Sequence, residues 1–251
     1  MRRKWLRIAH RGASGTAPEH TRSAFEKALA VGVDMIELDV QLSRDRELVV
    51  IHDLELGRTT DGTGRVSARP FAELKALDAG RWWGERFAGE RILCLDEVFA
   101  LVSGRAALNV EVKAPREDWP AAAPRLLDTL RRWDATGVTI VSCFEPEFLA
   151  ALRGLSPAVH VGVLWSRPDL RPAWAWVRRL GARSIHPHWS LVSDALLRDA
   201  HALGARVLTW TVNEVADMCR LRDSGVDGII SDFPERFAAL DGDGSGGGLA
   251  P

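Results

Sequence analysis

The chain has 251 residues, a length that is long for one ordinary domain but normal for an α/β barrel folded as a single unit. Its 46% hydrophobic and 27% charged residues lie near the globular average, which excludes a disordered, collagen-like or coiled-coil chain. With 33 Lys and Arg against 34 Asp and Glu, the net charge is −1, so there is no overall basic field for nucleic acid or an anionic membrane.

The two ends of the chain differ in composition from its middle. The positively charged start leads into Arg7 rather than an apolar run, and no stretch reaches the ~18 consecutive apolar residues of a membrane helix. These features predict a cytoplasmic protein without stable membrane association. Residues 241–251 are rich in Gly and predict a flexible tail. The 3 Cys lack disulfide or zinc spacing and are predicted to be buried thiols.

Short β-rich runs alternate with longer helical stretches. Residues 22–31 and 214–224 have apolar side chains at helical spacing, the second with Asn213 as candidate N-cap and Gly225 as its stop. Repeated strand-then-helix units favour a closed parallel (β/α)₈ barrel, the TIM-barrel class of α/β folds, over an open sheet. The predicted strands are residues 5–9, 33–40, 107–112, 138–142, 159–164, 183–186, 206–211 and 227–230.

An insertion interrupts this alternation after the second predicted strand. An extra strand at 47–51 leads into a segment, about 54–94, that is rich in Gly, Arg and turn signals. The segment leaves the carboxyl end of a barrel strand, where barrel enzymes carry their active-site loops. We therefore expect a lid or wall over the active site, within a single domain of residues 1–240.

Charged side chains share one face of two predicted strands. Residues two apart in a strand point the same way, so Glu37 lies beside Asp39, and Glu111 beside Lys113. Buried carboxylates need a cation, a proton or a basic side chain. One interpretation is a set of internal salt bridges to Lys113. The other is an all-oxygen site for Mg²⁺ or Ca²⁺.

Two histidines stand where predicted strands end, at the expected rim of the barrel. His10 follows the first strand and His52 follows the extra strand. A histidine at such a position is either a hydrogen-bonded structural residue or, in a pair, an acid and a base that work near neutral pH. Arg11 and Lys113 offer the forked donor and the point charge that bind phosphate. The set indicates metal-assisted phosphodiester cleavage.

An ordered series of short motifs covers the chain from residue 8 to about 240. The motifs are Ala9-His10-Arg11-Gly12, Pro18-Glu19-His20-Thr21, Glu37-Leu38-Asp39-Val40, His52-Asp53, Arg58-Thr59-Thr60-Asp61-Gly62, Leu77-Asp78-Ala79-Gly80, Leu95-Asp96-Glu97-Val98, Glu111-Val112-Lys113, Trp210-Thr211-Val212-Asn213 and Gly225-Val226-Asp227-Gly228-Ile229-Ile230-Ser231-Asp232. Together they resemble the glycerophosphodiester phosphodiesterase family. The resemblance implies a TIM barrel with a small insertion after the second strand. It also implies metal-dependent hydrolysis of glycerophosphodiesters, such as glycerophosphocholine, to sn-glycerol 3-phosphate and an alcohol.

The resemblance also implies a role for each matching residue. Attack by the glycerol 2-hydroxyl on phosphorus would give a cyclic phosphate that water then opens. His20 stands where the family has Asn, Glu19 is interpreted as hydrogen-bonding support, and Ser231-Asp232 as the cap of the last helix. The implied roles are acid–base catalysis for His10 and His52, metal binding for Glu37, Asp39 and Glu111, phosphate binding for Arg11 and Lys113, and glycerol contact for Trp210.

Two other functions remain compatible with the sequence. The first is a barrel that binds phosphodiesters without turnover. The second is a lipid phosphodiesterase of the lysophospholipase D or phospholipase C type, for which aromatic residues of the insertion would form an apolar rim. Those aromatic residues are Phe71, Trp82, Trp83 and Phe87.

Overall fold

A closed barrel of parallel strands forms the centre of the molecule, in a computed structural model that describes residues 5–240. The predicted tail at 241–251 lies outside these residues. The strands are β1 (Leu6–His10), β2 (Met35–Leu42), β3 (Leu48–Val50), β4 (Leu93–Cys94), β5 (Ala107–Val112), β6 (Ile140–Cys143), β7 (His160–Trp165), β8 (Ser184–Pro187), β9 (Arg206–Thr209) and β10 (Gly228–Ser231). Eight of these ten described strands are parallel, and pairing of β1 with both β2 and β10 closes the ring. The predicted TIM barrel is confirmed.

Helices follow most barrel strands and cover the outside of the ring. The described α-helices are α1 (Arg22–Val31), α2 (Phe71–Ala76), α3 (Leu95–Val102), α4 (Trp119–Arg132), α5 (Pro146–Leu155), α6 (Arg171–Leu180), α7 (Asp194–Ala202) and α8 (Val215–Ser224). Because successive side chains of a strand point to opposite faces, the apolar residues divide between the helix-facing side and the interior of the barrel. Ile36 and Leu38 of β2 belong to the main core between barrel and helices. A smaller cluster inside the barrel contains Ile8, Met35, Leu208 and Ile230.

The inner apolar cluster forms the floor beneath the polar end of the barrel. Each of its members lies two residues before a polar or aromatic residue of the next inward-facing layer: for example, Ile8 precedes His10 and Met35 precedes Glu37. Side chains two apart in a strand share a face. The floor therefore closes one end of the barrel interior and leaves the charged layer at the other.

The ends of α8 test two details of the sequence prediction. Gly225 ends the helix in a left-handed conformation, φ 97°, as predicted. The predicted N-cap, Asn213, is wrong, because the cap position belongs to Glu214. Asn213 is drawn away by Asp232, whose side-chain oxygen accepts from Nδ2 of Asn213 at 2.7 Å.

The insertion is a small lobe with its own apolar core. The β3 strand pairs antiparallel with β2, and β4 pairs antiparallel with β3. This hairpin lets β2 continue to Leu42, two residues beyond the predicted end. Buried apolar residues of the lobe cluster together, among them Val49, Leu56 and Leu74.

Two further predictions concern membrane helices and cysteines. Across residues 5–240, no helix combines the length and apolar character needed to cross a bilayer. Cys94 and Cys143 are buried thiols, as predicted, but Cys219 is partly exposed. Cys219 lies on α8, which presents part of its surface to solvent.

Candidate active site

The register of the strands brings the three predicted metal ligands together. In the parallel pairing, Glu37 is the neighbour of His10 on one side, and Asp39 is the neighbour of Glu111 on the other. One carboxylate oxygen from each of Glu37, Asp39 and Glu111 lies within 4.8 Å of the others, and all three side chains are buried. The alternation seen in the sequence thus becomes one compact acidic cluster.

Two cations touch the acidic cluster. Lys113 Nζ lies 3.3 Å from Asp39 Oδ1 and contacts a carboxylate oxygen of Glu111. Arg11 Nε lies 3.3 Å from Asp39 Oδ2. The predicted internal salt bridges therefore form between Lys113 and two carboxylates, Asp39 and Glu111. Within residues 5–240, Lys113 makes no ion pair with Glu37.

The donor set fits a hard divalent cation. With all three carboxylates ionised, as metal ligation requires, two cationic side chains would leave one net negative charge in this buried site. Oε2 of Glu37 is buried and lacks a hydrogen-bond partner among the described residues. Buried charge without a partner is costly, and all-oxygen ligands suit Mg²⁺ or Ca²⁺. These residues would hold such an ion.

Burial and neighbouring charges shift the pKa values of the three carboxylates in different directions. It raises the pKa of Glu37 well above its ordinary value, and the charges of Asp39 and Glu111 add to this effect. Burial, with the nearby Asp39 charge, also raises the pKa of Glu111 to about 8. Burial opposes ionisation of Asp39 too, but the positive charges of Lys113 and Arg11 outweigh it and hold its pKa well below the ordinary value.

The carboxylate of Asp232, which is far from His10 in the sequence, orients the His10 ring. Nδ1 of His10 lies 2.6 Å from Oδ1 of Asp232, which also accepts from Ser14 Oγ at 2.9 Å. Burial alone would raise the pKa of Asp232, but hydrogen bonds from His10, Asn213 and Ser14 hold it at about 2. An ionised Asp232 can only accept, so Nδ1 of His10 carries a proton and Nε2 is the ring nitrogen left for chemistry.

The predicted cap role of Asp232 is therefore wrong. Its carboxylate bonds to His10, Ser14 and Asn213 rather than to the helix that follows. Ser231 Oγ does accept from the main-chain N–H of Phe233, at 3.1 Å. Asp232, the residue directly after β10, thus bonds to side chains at the rim of the barrel, where His10 also lies.

His52 has a matching arrangement on the other side. Its Nδ1 lies 2.6 Å from Oδ1 of Asp53, the next residue in the chain. Hydrogen bonding from Arg58, with a further one from His52, lowers the pKa of Asp53 to about 2. Burial lowers the pKa of His52 itself, which favours its neutral form. Nε2 of His52 therefore keeps a lone pair.

Glu19 connects Arg11 with the insertion. Its Oε1 accepts from NH1 of Arg11 at 2.9 Å, and both of its oxygens accept from Arg58 at 2.8 Å. Burial would raise the pKa of Glu19, but the bond to Arg58 and the nearby positive charges hold it at about 2. Glu19 supports Arg11 by hydrogen bonding, as the sequence suggested, and does not join the acidic cluster.

A tight turn after β1 aims Arg11 inward. Arg11 has φ 56° and Gly12 has φ 84°, two left-handed residues in succession. A Cβ on Gly12 would lie 2.7 Å from the carbonyl carbon of Ala24, so the turn packs directly on α1. The turn requires glycine here because other residues rarely adopt this φ and lack the space.

His20 fills the position where the resemblance implies Asn. It is buried with φ 62°, a conformation that Asn and His tolerate better than most residues. Its Nε2 accepts from the main-chain N–H of Asp39 at 3.1 Å. Burial lowers the pKa of His20, which agrees with a neutral ring that accepts at Nε2. His20 thus buttresses the strand that carries Asp39.

Seven of the eight predicted site residues line one cavity of about 140 Å³, and Asp39 is not among its lining residues. Its lining includes His10, His52, Arg11, Lys113 and Trp210. Trp210 is fixed by its Nε1, which donates to the carbonyl of His186 at 2.8 Å. Its ring packs edge-on against Phe144 with centroids 5.6 Å apart. These two aromatic rings give the cavity an apolar wall beside the charged one.

The insertion does not cover this cavity in the way the sequence suggested. None of the residues in 54–94 is among the described lining residues. In particular, Phe71, Trp82, Trp83 and Phe87 lie away from it, and Phe71 packs on the lobe's own core. The lobe reaches the site through Arg58 instead, because its guanidinium extends to Glu19 and Asp53.

Known proteins share both the sequence and the fold. A profile of the glycerophosphoryl diester phosphodiesterase family matches residues 10–236. A glycerophosphodiester phosphodiesterase of Caldanaerobacter subterraneus subsp. tengcongensis is 40% identical over 238 residues, covering 94% of this chain and 98% of that protein. An Oleispira antarctica phosphodiesterase, solved with its product sn-glycerol-3-phosphate, superposes with a TM-score of 0.88 at 33% identity, covering 93% of this chain and 96% of that one. A glycerophosphodiester phosphodiesterase from Agrobacterium tumefaciens gives 0.82 at 29% identity, covering 92% and 98%.

Proposed function

Because the chain belongs to the glycerophosphoryl diester phosphodiesterase family, we propose that it hydrolyses glycerophosphodiesters by acid–base catalysis with His10 and His52. It is a phosphoric diester hydrolase, as its relatives are. The substrate class is a deacylated phospholipid such as glycerophosphocholine, and the products are sn-glycerol 3-phosphate and an alcohol. The catalytic unit is the single domain of residues 1–240.

One observation supports the histidine pair above the others. Each ring is held at Nδ1 by an aspartate at 2.6 Å, and both rings line the same cavity. A ring held in this way presents Nε2 in one tautomer and one orientation. Two such rings beside a phosphate site supply a base and an acid for one displacement.

The first step transfers the phosphoryl group to the substrate's own hydroxyl. The glycerol 2-hydroxyl oxygen bonds to phosphorus while the phosphorus–oxygen bond to the alcohol breaks. One histidine takes the hydroxyl proton, and the other, protonated, gives a proton to the leaving alcohol. An internal nucleophile has the advantage of proximity, which explains a requirement for a free vicinal hydroxyl.

The second step opens the cyclic phosphate with water. The histidine that gave its proton now takes one from water, and the other returns its proton to the 2-oxygen of glycerol. Both rings thereby return to their starting protonation states, because the two histidines exchange the roles of acid and base between the steps. The sum of the steps consumes one water and releases sn-glycerol 3-phosphate.

Cationic side chains hold the phosphate during both steps. Arg11 and Lys113 line the cavity and lie against Asp39, which keeps them in place. Such preorganised charges stabilise the extra negative charge of the transition state. Mg²⁺ or Ca²⁺ bound by Glu37, Asp39 and Glu111 would add a Lewis acid there. Trp210 would contact the glycerol carbons.

Release of sn-glycerol 3-phosphate from glycerophosphocholine tests this function. The purified protein is assayed with Mg²⁺ or Ca²⁺ and with EDTA, and we expect metal-dependent product. A substrate analogue that lacks the 2-hydroxyl should bind without turnover, because no internal nucleophile is present. Product from the analogue would contradict the cyclic intermediate.

A second substrate separates the alternatives. Lysophosphatidylcholine carries the same diester with an acyl chain, and we expect slower turnover because the insertion's aromatic side chains do not line the cavity. Faster turnover of the lipid would establish a lysophospholipase D-type enzyme. Binding of both substrates without product would establish a non-catalytic barrel.

A further inference from the structure

We propose that Arg58 of the insertion is a positioning residue that sets His52 and Arg11 relative to each other. The proposal rests on the proposed function, which gives His52 and Arg11 their roles. Arg58 ends the short 3₁₀ turn Leu56–Arg58 and is absent from the lining of the cavity. Its influence on the reaction must therefore pass through other side chains.

Arg58 binds two carboxylates with one guanidinium. Nε donates to Asp53 Oδ2 at 2.6 Å and NH2 to Asp53 Oδ1 at 3.0 Å. NH1 donates to Glu19 Oε2 and NH2 to Glu19 Oε1, each at 2.8 Å. Both contacts match the forked geometry that arginine offers to a carboxylate. Four donated bonds fix the guanidinium plane and both carboxylate planes together.

Each of these carboxylates holds one residue of the site. Asp53 Oδ1 lies 2.6 Å from Nδ1 of His52, and Glu19 Oε1 accepts from NH1 of Arg11 at 2.9 Å. His52 follows β3 and Arg11 follows β1, and these two strands pair with β2 rather than with each other. Arg58 therefore supplies a direct side-chain link between two rim segments that share no ladder.

The insertion holds Arg58 in place from below. Leu56, at the start of the turn, is fully buried in the core of the lobe. Its carbonyl accepts from Thr60 Oγ1 at 2.7 Å, and its N–H donates to the carbonyl of Gly64 at 3.0 Å. A lysine at position 58 would keep the charge but not the fork, so it cannot hold both carboxylates in plane.

Kinetics of position-58 variants with glycerophosphocholine test the proposal. Arg58→Ala is expected to lower kcat about 10- to 100-fold, the usual effect of losing a residue that orients a catalytic group. Arg58→Lys should recover only part of this loss. Added guanidinium ion should restore activity to Arg58→Ala, whereas methylammonium should not. The control is Arg81→Ala, because Arg81 pairs with Asp78 and Glu85 in the same lobe, away from the cavity, and should leave kcat unchanged.

A measurement without turnover separates this proposal from the proposed function. A ¹⁵N NMR titration follows the His52 ring, which the charges of Asp53, Asp39, Arg11 and Lys113 also reach. Arg58→Ala should raise the pKa of His52, because a positive charge beside Asp53 is lost. Arg81→Ala should leave it unchanged.

The possible results lead to distinct conclusions. Unchanged kcat and unchanged His52 pKa in Arg58→Ala would overturn the proposal. A lower kcat with no guanidinium rescue and no change in the His52 pKa would assign Arg58 a purely structural role, and would overturn it as well. An inactive wild-type protein would refute the proposed function, and the titration would then decide by itself whether Arg58 orients His52.

Discussion

Replacing Glu19 with glutamine is expected to destabilise the protein at neutral pH by an amount that disappears in acid. Glu19 is 11% exposed and accepts hydrogen bonds from Arg11 and Arg58. These partners favour its ionised form in the folded state and hold its pKa at about 2, against an ordinary 4.5. Glutamine keeps the shape of the side chain but resembles the protonated acid.

The size of the effect follows from the two pKa values. A fall from 4.5 to about 2 corresponds to about 3 kcal/mol of unfolding free energy at pH 7. Because the folded-state pKa is the lower one, this contribution is complete above about pH 4.5 and is lost as pH falls towards 2. At pH 3 about 1 kcal/mol should remain.

Urea unfolding of both proteins at pH 7, 5, 4 and 3 measures this difference. The matched control is Glu85→Gln, since Glu85 is 76% exposed and pairs with Arg81 at 3.2 Å. An exposed pair of this kind should change stability by less than about 0.5 kcal/mol at every pH. A Glu19→Gln deficit that stays constant from pH 7 to 3, or one below about 1 kcal/mol at pH 7, would refute the reasoning.

Four other variants give separate tests. His10→Ala and His52→Ala should each lower kcat about 10²- to 10⁴-fold with an unchanged circular dichroism spectrum, and more than a tenth of wild-type kcat in both would contradict the acid–base assignment. Glu37→Gln should raise the Mg²⁺ or Ca²⁺ concentration needed for half-maximal activity and weaken binding in calorimetry; an unchanged metal requirement would count against the ligand role. Gly12→Ala should cost about 1–3 kcal/mol in urea unfolding, because φ is 84° and the new Cβ would lie 2.7 Å from the carbonyl carbon of Ala24. An unchanged unfolding midpoint for this variant would show that the turn can relax.

Strand periodicity explains why so much of the site was visible in the sequence. Glu37 and Asp39 stand two apart, and a parallel register then places Glu111 beside Asp39. Both inferences follow from strand geometry alone. The roles of these residues stay predictions until the variants are measured.

The orienting carboxylates were harder to find. Asp232 lies 222 residues from His10, and no local pattern reports a bond over that separation. Its place directly after the last strand was a usable signal, because the carboxyl ends of all barrel strands share one rim. The local preference of Asp for helix caps competed with that signal and gave the wrong assignment.

The insertion was located correctly but its role was not. Glycine and turn residues mark its boundaries in sequence, whereas the direction of one long side chain, Arg58, depends on how the lobe packs. Leu56 sets that direction by burial in a core whose members are spread from Val49 to Ile92. Packing over such a distance is not encoded in any short motif.

The bond between His10 and Asp232 joins the first strand of the barrel to the last. During synthesis the ribosome releases His10 early and Asp232 more than 200 residues later, so a nascent chain holds a histidine without its carboxylate. Activity should therefore appear only when β10 has been made and has closed the ring. Turnover should therefore indicate that folding is complete, and partly synthesised chains should not hydrolyse the cell's phosphodiesters.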